Sequence, residues 1–161
     1  MKIRSAEYKD LEDMMRVYGH ARRFMAETGN PTQWGTQYPR RELLEQDIVR
    51  GVSYVCEDGQ GIQGVFAFIL GDDPTYAVIE NGKWINEEPY GTIHRIASAG
   101  AVKGVCAVSF DWCFNKCGNL RIDTHEDNKV MQHVIEKNGF LKCGRIYVED
   151  GSARIAYQRA K

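Results

Sequence analysis

The sequence predicts a mixed, mostly antiparallel sheet of six to seven strands flanked by helices, of the α/β or α+β class. Three observations carry that expectation. The predicted elements run β-α-α-β-β-β-α-β-α-β-β, joining a meander of antiparallel strands to β-α-β crossovers. The chain has 161 residues, the length of a single domain spanning 1–161 that can bury a core without disulfides or a metal staple. Hydrophobic residues make up 43% and charged residues 27%, a balance that excludes wholesale disorder.

The elements follow in order. Lys2 to Ser5 is a short strand. Leu11, Met14, Met15, Tyr18 and Met25 recur at helical spacing, and Gly29-Asn30-Pro31 stops that helix. After the irregular stretch PTQWGTQYP, Pro39 suits the first turn of a second helix, running to about Arg50 with Leu43, Leu44 and Ile48 inward. Val52–Glu57 and Ile62–Leu70 are rich in β-branched and aromatic residues and flank the turn Asp58-Gly59-Gln60-Gly61. A long excursion occupies 71–90, and Thr92–Ala97 is the next strand. A helix over 104–116 ends at Gly118, a strand follows over Leu120–Thr124, and a helix over Lys129–Lys137 has Asn138-Gly139 as its C-cap. Leu141–Val148 and Ala153–Gln158 close the chain as strands around Glu149-Asp150-Gly151-Ser152.

Charge and cysteine content narrow the function classes. Lys and Arg total 21 against 22 for Asp and Glu, a formal charge of -1, so a generic nucleic-acid backbone binder is disfavoured. The N-terminal MKIRSAEYKDLEDMM has no apolar core of a signal peptide, and the longest apolar run, Val65–Leu70, is far below the ~20 residues of a membrane span. No membrane partner is expected, and the location expected is cytoplasmic. Five cysteines, an odd number, argue for a reducing compartment. Cys106, Cys113 and Cys117 fall on one helical stripe with His125 and His133 downstream. A metal site is conceivable from that set, but the stripe is the spacing of core packing, so no metal is expected.

In RIDTHEDNKVMQHVIEKNGF, Arg121 to Phe140, a strand ends in Asp-Thr, an Asn opens a helix, and the helix closes on Gly-Phe. With Thr92-Ile93-His94-Arg95-Ile96-Ala97 leading into a helix start, and the closing IYVEDGSARIAYQ, the whole chain resembles the GNAT superfamily of acetyl-CoA-dependent N-acetyltransferases. The resemblance implies transfer of an acetyl group from acetyl-CoA, as co-substrate, to a primary amine of a small molecule or peptide. A homodimer is compatible with it. The alternative is a module of the same fold that binds CoA with little or no turnover.

A helix N-terminus can hold a pyrophosphate through unpaired backbone N–H groups and the positive end of the helix dipole. The family's Gln/Arg-x-x-Gly-x-Gly/Ala turn corresponds to Ala101–Ala107, where Ala101 replaces Gln/Arg and Cys106 the closing small residue. Amides of Val102, Lys103, Gly104, Val105, Cys106 and Ala107 stay available whatever their side chains, although an ordinary strand–helix junction would look the same. The resemblance further assigns backbone groups of Arg95, Ile96 and Ala97, and the side chain of Asn128, to the pantetheine arm. Asn128 is equally a helix N-cap.

Where many members carry a proton-donating Tyr, this chain has Ile135. His94 and His125, as imidazoles able to give or take a proton, and Tyr147 are the substitute catalytic candidates, with Glu80 behind them. Each also has a purely structural reading. Trp34 and Tyr38, with Tyr76, Trp84 and Tyr90, concentrate aromatics in the 30–39 and 71–90 loops. They either line the acceptor site, holding an amine by cation–π attraction, or cover the core.

Overall fold

The computed structural model describes residues 1–161. Its elements are β1 (Lys2–Ser5), α1 (Leu11–Glu27), α2 (Arg41–Val49), β2 (Ser53–Asp58), β3 (Gly61–Leu70), β4 (Gly91–Ser98), α3 (Val105–Cys117), β5 (Asn119–Thr124), α4 (Lys129–Lys137), β6 (Leu141–Tyr147) and β7 (Ala153–Ala160). The strands form one seven-stranded sheet in the order β1-β2-β3-β4-β5-β7-β6. Only β4 and β5 are parallel; every other pair is antiparallel. The predicted class, element order and mixed sheet are therefore those observed.

Alternation along the strands sorts the core onto two faces. On one face α3 and α4 cover Phe66, Phe68, Ile93, Leu120 and Ile122 with Phe110, Cys113 and Ile135. Phe110 meets Phe140 edge to face at 5.1 Å, tying α3 to the start of β6. On the other face α1 and α2 pack Leu11, Met14, Tyr18 and Leu44 over Val55, Val65 and Ala97. The 71–90 excursion continues this layer, burying Tyr76, Trp84 and Tyr90 against Cys143, Ile146 and Ala156. Within the excursion, Pro74–Tyr76 is a single 3-10 turn capped by Asp73.

One boundary differs. Pro39 is not in the first turn of α2: Arg40 is extended (φ -77°, ψ 156°), so the helix begins at Arg41. The buried face of α2 also carries a charge, Asp47, beside Leu44. The stripe of cysteines on α3 splits: Cys113 is fully buried in the core, while Cys106 and Cys117 are partly accessible. No helix is long and apolar enough to cross a membrane.

The sheet's main irregularity lies in β4. Val65 pairs with Ala97 and Ala67 with His94, so β4 holds one residue more than β3 across that step. Arg95 absorbs it with φ +54°, a conformation costing a non-glycine residue roughly 1–2 kcal/mol. Beyond this bulge β4 leaves β5. The two strands pair only at Gly91–Leu120 and Thr92–Arg121, while β5 stays with β7 along its whole length.

Ile135 has no exposed surface and packs beneath Phe110 and Phe140 in the α3–α4 layer. Ile135→Ala is expected to lower unfolding stability by about 2–5 kcal/mol, read as a fall in the urea midpoint at constant slope.

Candidate active site

The parting of β4 and β5 opens a cavity of about 1020 Å³ that reaches both faces of the sheet. Its floor is Ile93–Ser98 of β4 and Ile122–Thr124 of β5. On one side stand Asn128, Met131 and Val134 of α4 with Lys103 and Cys106 at the start of α3. On the other stand Phe24 of α1, Trp34, Tyr38, Asp73 and Thr75.

The α3 side is a row of donors. Gly104 caps α3 in the left-handed region, φ +87°, and the first amides of a helix have no partner within it. None of the amides from Ala101 to Ala107 donates to another protein group. Gly100, also left-handed at φ +80°, lies so close to the His20 ring that a Cβ would stand 2.4 Å from Nε2. The loop therefore needs glycine there both for its turn and for this contact. The altered side chains at Ala101 and Cys106 leave this amide row intact, because the donors belong to the backbone.

In β4, Ala99 N–H donates to the Gln63 carbonyl on β3 at 2.9 Å. Antiparallel alternation then turns Ala97 towards β3, and turns Ile96 and Ser98 towards the gap. The carbonyl of Arg95 accepts a hydrogen bond from Tyr18 Oη at 2.7 Å. Of the three predicted backbone positions, alternation turns Ile96 to the gap together with Ser98 and turns Ala97 to β3, while the Arg95 carbonyl is taken by Tyr18. The Arg95 guanidinium forks onto Asp47 of α2, with Nε 3.1 Å from Oδ2 and Nη2 3.0 Å from Oδ1. Those two hydrogen bonds, worth about 1.5–3 kcal/mol each because they are charged, outweigh the cost of the left-handed backbone and pin the bulge.

Asn128 acts as the N-cap of α4: its Oδ1 accepts from Met131 N–H at 3.0 Å. Its amide also donates to Gln33 Oε1 at 3.1 Å, tying α4 to the irregular segment across the cavity.

His94 lines the cavity, with Nε2 3.0 Å from Asp73 Oδ2. The backbone N–H and hydroxyl of Thr75 both donate to Asp73 Oδ1, at 2.9 and 2.7 Å. Burial pushes the Asp73 carboxyl up, but hydrogen bonds from His94 and Thr75 outweigh it and hold it at about 2. An ionised carboxylate only accepts, so Nε2 of His94 donates to Asp73; when the ring holds one proton, Nδ1 is the acceptor.

The remaining catalytic candidates lie away from this pair. His125 Nδ1 accepts from Asp127 N–H at 3.0 Å and serves the turn into α4. Tyr147 is 41% exposed, and its hydroxyl donates to Glu80 Oε2 at 3.0 Å. Neither belongs to the cavity walls. Among the aromatics, Trp34 and Tyr38 do line it. Tyr76, Trp84 and Tyr90 do not, because the Arg121 guanidinium lies 4.0 Å from the Trp84 ring and 3.9 Å from the Tyr90 ring, drawing both under the excursion.

The residue missed from the sequence is Asp123. It stands on β5 across the gap from His94, and Tyr76 Oη donates to its Oδ2 at 2.6 Å. Burial pushes its carboxyl above the ordinary range, although Tyr76, His94 and Arg154 pull the other way. The available signal was an acidic residue inside the apolar strand Leu120–Thr124. For Asp73, it was an Asp directly before Pro74, the pattern of a capped turn.

Because its carboxyl is depressed in the fold, Asp73 supplies stability that is present above the unfolded value near pH 4 and lost as pH falls towards 2. The Tm deficit of Asp73→Asn against wild type is therefore expected to be full at pH 6 and to shrink below about pH 4. A deficit independent of pH would contradict this ionic role. A second expectation concerns the bulge. Asp47→Ala strands the Arg95 guanidinium, whose side chain is 11% exposed, and should cost about 3–5 kcal/mol of unfolding free energy.

No protein-family model matches the sequence, and no curated protein does. Solved structures do. A GNAT-family acetyltransferase of Streptococcus agalactiae 2603 is 31% identical and superimposes with a TM-score of 0.91, covering 99% of this chain and 95% of its own. A protein of Staphylococcus aureus Mu50 (23% identity, TM-score 0.72, 99% of both chains) shares the fold. So does a GNAT-family acetyltransferase of Listeria monocytogenes 4b F2365 (19%, 0.70, covering 98% of this chain and 93% of that one). At that identity and coverage to the streptococcal enzyme, the chain belongs to the GNAT family of acetyltransferases.

Proposed function

We propose that the protein transfers an acetyl group from acetyl-CoA directly to the primary amine of a small molecule or peptide. One observation carries this reading: a single cavity joins the free amides of the α3 start, on one face of the sheet, to the His94–Asp73 pair on the other. The residues fit an acyl-CoA. Backbone N–H groups from Ala101 to Ala107 and the Lys103 ammonium suit a pyrophosphate. The backbone of Ile96 and Ser98 can extend the sheet onto an amide-bearing arm. When bound, the cofactor supplies an acetyl group activated as a thioester.

The chain's own groups then position and deprotonate the acceptor. Trp34 and Tyr38 offer ring faces to a cation. An amine enters as an ammonium with a pKa near 10 and must lose a proton before its nitrogen can attack. His94 Nδ1 takes that proton, with Asp73 fixing the tautomer and stabilising the imidazolium that results. The gain comes chiefly from holding amine and thioester in one orientation.

Acetyl-CoA at about 100 times its Kd should stabilise the fold by about 2.7 kcal/mol, raising Tm by roughly 5–10 °C, while ATP and NAD leave it unchanged. Absence of a shift with any acyl-CoA would sink the cofactor assignment. A panel of amines is then screened for release of free CoA thiol. A Tm shift without release above hydrolysis would favour a CoA-binding module instead. His94→Ala should lower kcat by about 100-fold and reshape the acid limb of the pH profile; an unchanged profile removes His94 from the chemistry.

A further inference from the structure

Conversion of an ammonium to an amide removes two protons from nitrogen, and the proposed role of His94 accounts for one. The residue at which family resemblance places a proton donor is Ile135, apolar and sealed in the core. That leaves the second proton to solvent or to another group on the cavity wall.

Asp123 meets the geometric requirements. It sits on β5 just past the last β4–β5 pair, so it borders the gap itself. Its Oδ2 is committed to the Tyr76 hydroxyl at 2.6 Å. Its Oδ1 takes no protein hydrogen bond and is not sealed from the cavity. The 3-10 turn that supplies Tyr76 is capped by Asp73, so one turn reaches both Asp123 on β5 and His94 on β4 at the same opening. The charged and titratable groups facing Asp123 are His94 on β4, Asp73 and Tyr76 on the excursion, and Arg154 on β7.

We propose that Asp123 is the second proton carrier of the site: its free Oδ1 takes the remaining acidic proton of the nitrogen and passes it to the departing sulfur. This rests on the transferase reading above. After the nitrogen has bonded to the carbonyl carbon, its proton is far more acidic than that of an ammonium, and a carboxylate is a sufficient base. The N–H bond breaks and an O–H bond forms, converting Asp123 to its carboxylic acid. The C–S bond then breaks with its electron pair on sulfur, and the O–H proton moves to that sulfur, restoring the carboxylate. The first proton leaves His94 for solvent, so amine, thioester and protons balance as amide, thiol and one released proton. Burial favours the neutral acid that this carrier must become, while Tyr76 keeps the ionised form within reach.

Two measurements test it. Asp123→Asn should lower kcat by about 100-fold or more while the Tm rise with acetyl-CoA persists and the acceptor KM stays within about threefold; a kcat near that of wild type overturns the proposal. Carboxyl ¹³C NMR of aspartate-labelled wild type, with Asp123 assigned by the signal lost in Asp123→Asn, should show it titrating above an ordinary aspartate. Because the Tyr76 hydrogen bond favours the carboxylate, Tyr76→Phe should move that titration further up. An ordinary titration in both proteins overturns the proposal. Wild type that shifts with acetyl-CoA but releases no thiol with any amine overturns the transferase reading, and this proposal with it; turnover that ignores Asp123→Asn overturns this proposal alone.

Discussion

The site depends on one local conflict in the sheet. β4 must stay in register with β3 and yet leave β5, and it does both by carrying an extra residue at Arg95. The bulge is unfavourable by itself, since a side-chain-bearing residue is held left-handed there. It persists because Arg95 is gripped at both ends: its carbonyl by Tyr18 of α1 and its guanidinium by Asp47 of α2. The helices that cover this face thus do more than bury apolar surface. They hold open a gap that sheet hydrogen bonding would otherwise close.

The gap in turn sorts chemistry by face. Towards α3 and α4 it meets backbone donors, Lys103, Asn128 and mostly apolar side chains, a suitable wall for an anion with an extended tail. Towards α1 and the excursion it meets Asp73, His94 and Asp123. A net charge of -1 is compatible with an anionic cofactor, because main-chain N–H groups at a helix start are donors that composition does not count.

Much of this was legible in the sequence, and the parts that were not share a cause. Element order followed from periodicity and from turn residues such as Gly118 and Asn138-Gly139, signals read within a few residues of one another. The amide row at Ala101–Ala107 was legible because it depends on backbone position alone. Long-range pairings were not. Nothing near Tyr76 signals that its hydroxyl meets Asp123, 47 residues away, and nothing near Asp47 signals Arg95, 48 residues away. The two roles open to the aromatics of the excursion could not be separated for the same reason. Trp84 and Tyr90 have the composition of a binding loop, but Arg121, arriving from β5, converts them into the walls of a buried cation site.

Burying Arg121 and Asp123 on one face of β5 has a consequence for how firmly the acidic groups are placed. Arg121 Nη2 donates to the Asn86 carbonyl at 2.9 Å, and the Gln158 amide bonds Asn86 Oδ1 at 3.1 Å and Asn119 Oδ1 at 2.8 Å. The excursion is therefore fastened at its far end to β5 and β7, and at its near end by Tyr76 to Asp123 and Asp73 to His94. A loop held at one end could swing Asp73 and Tyr76 out of the cavity together. Held at both, it keeps Tyr76 on Asp123 and Asp73 on His94 at the edge of the gap. The excursion's aromatic content is the means of that fastening: about 2 kcal/mol or more per desolvated cation–π contact is enough to offset the ordering of several loop side chains.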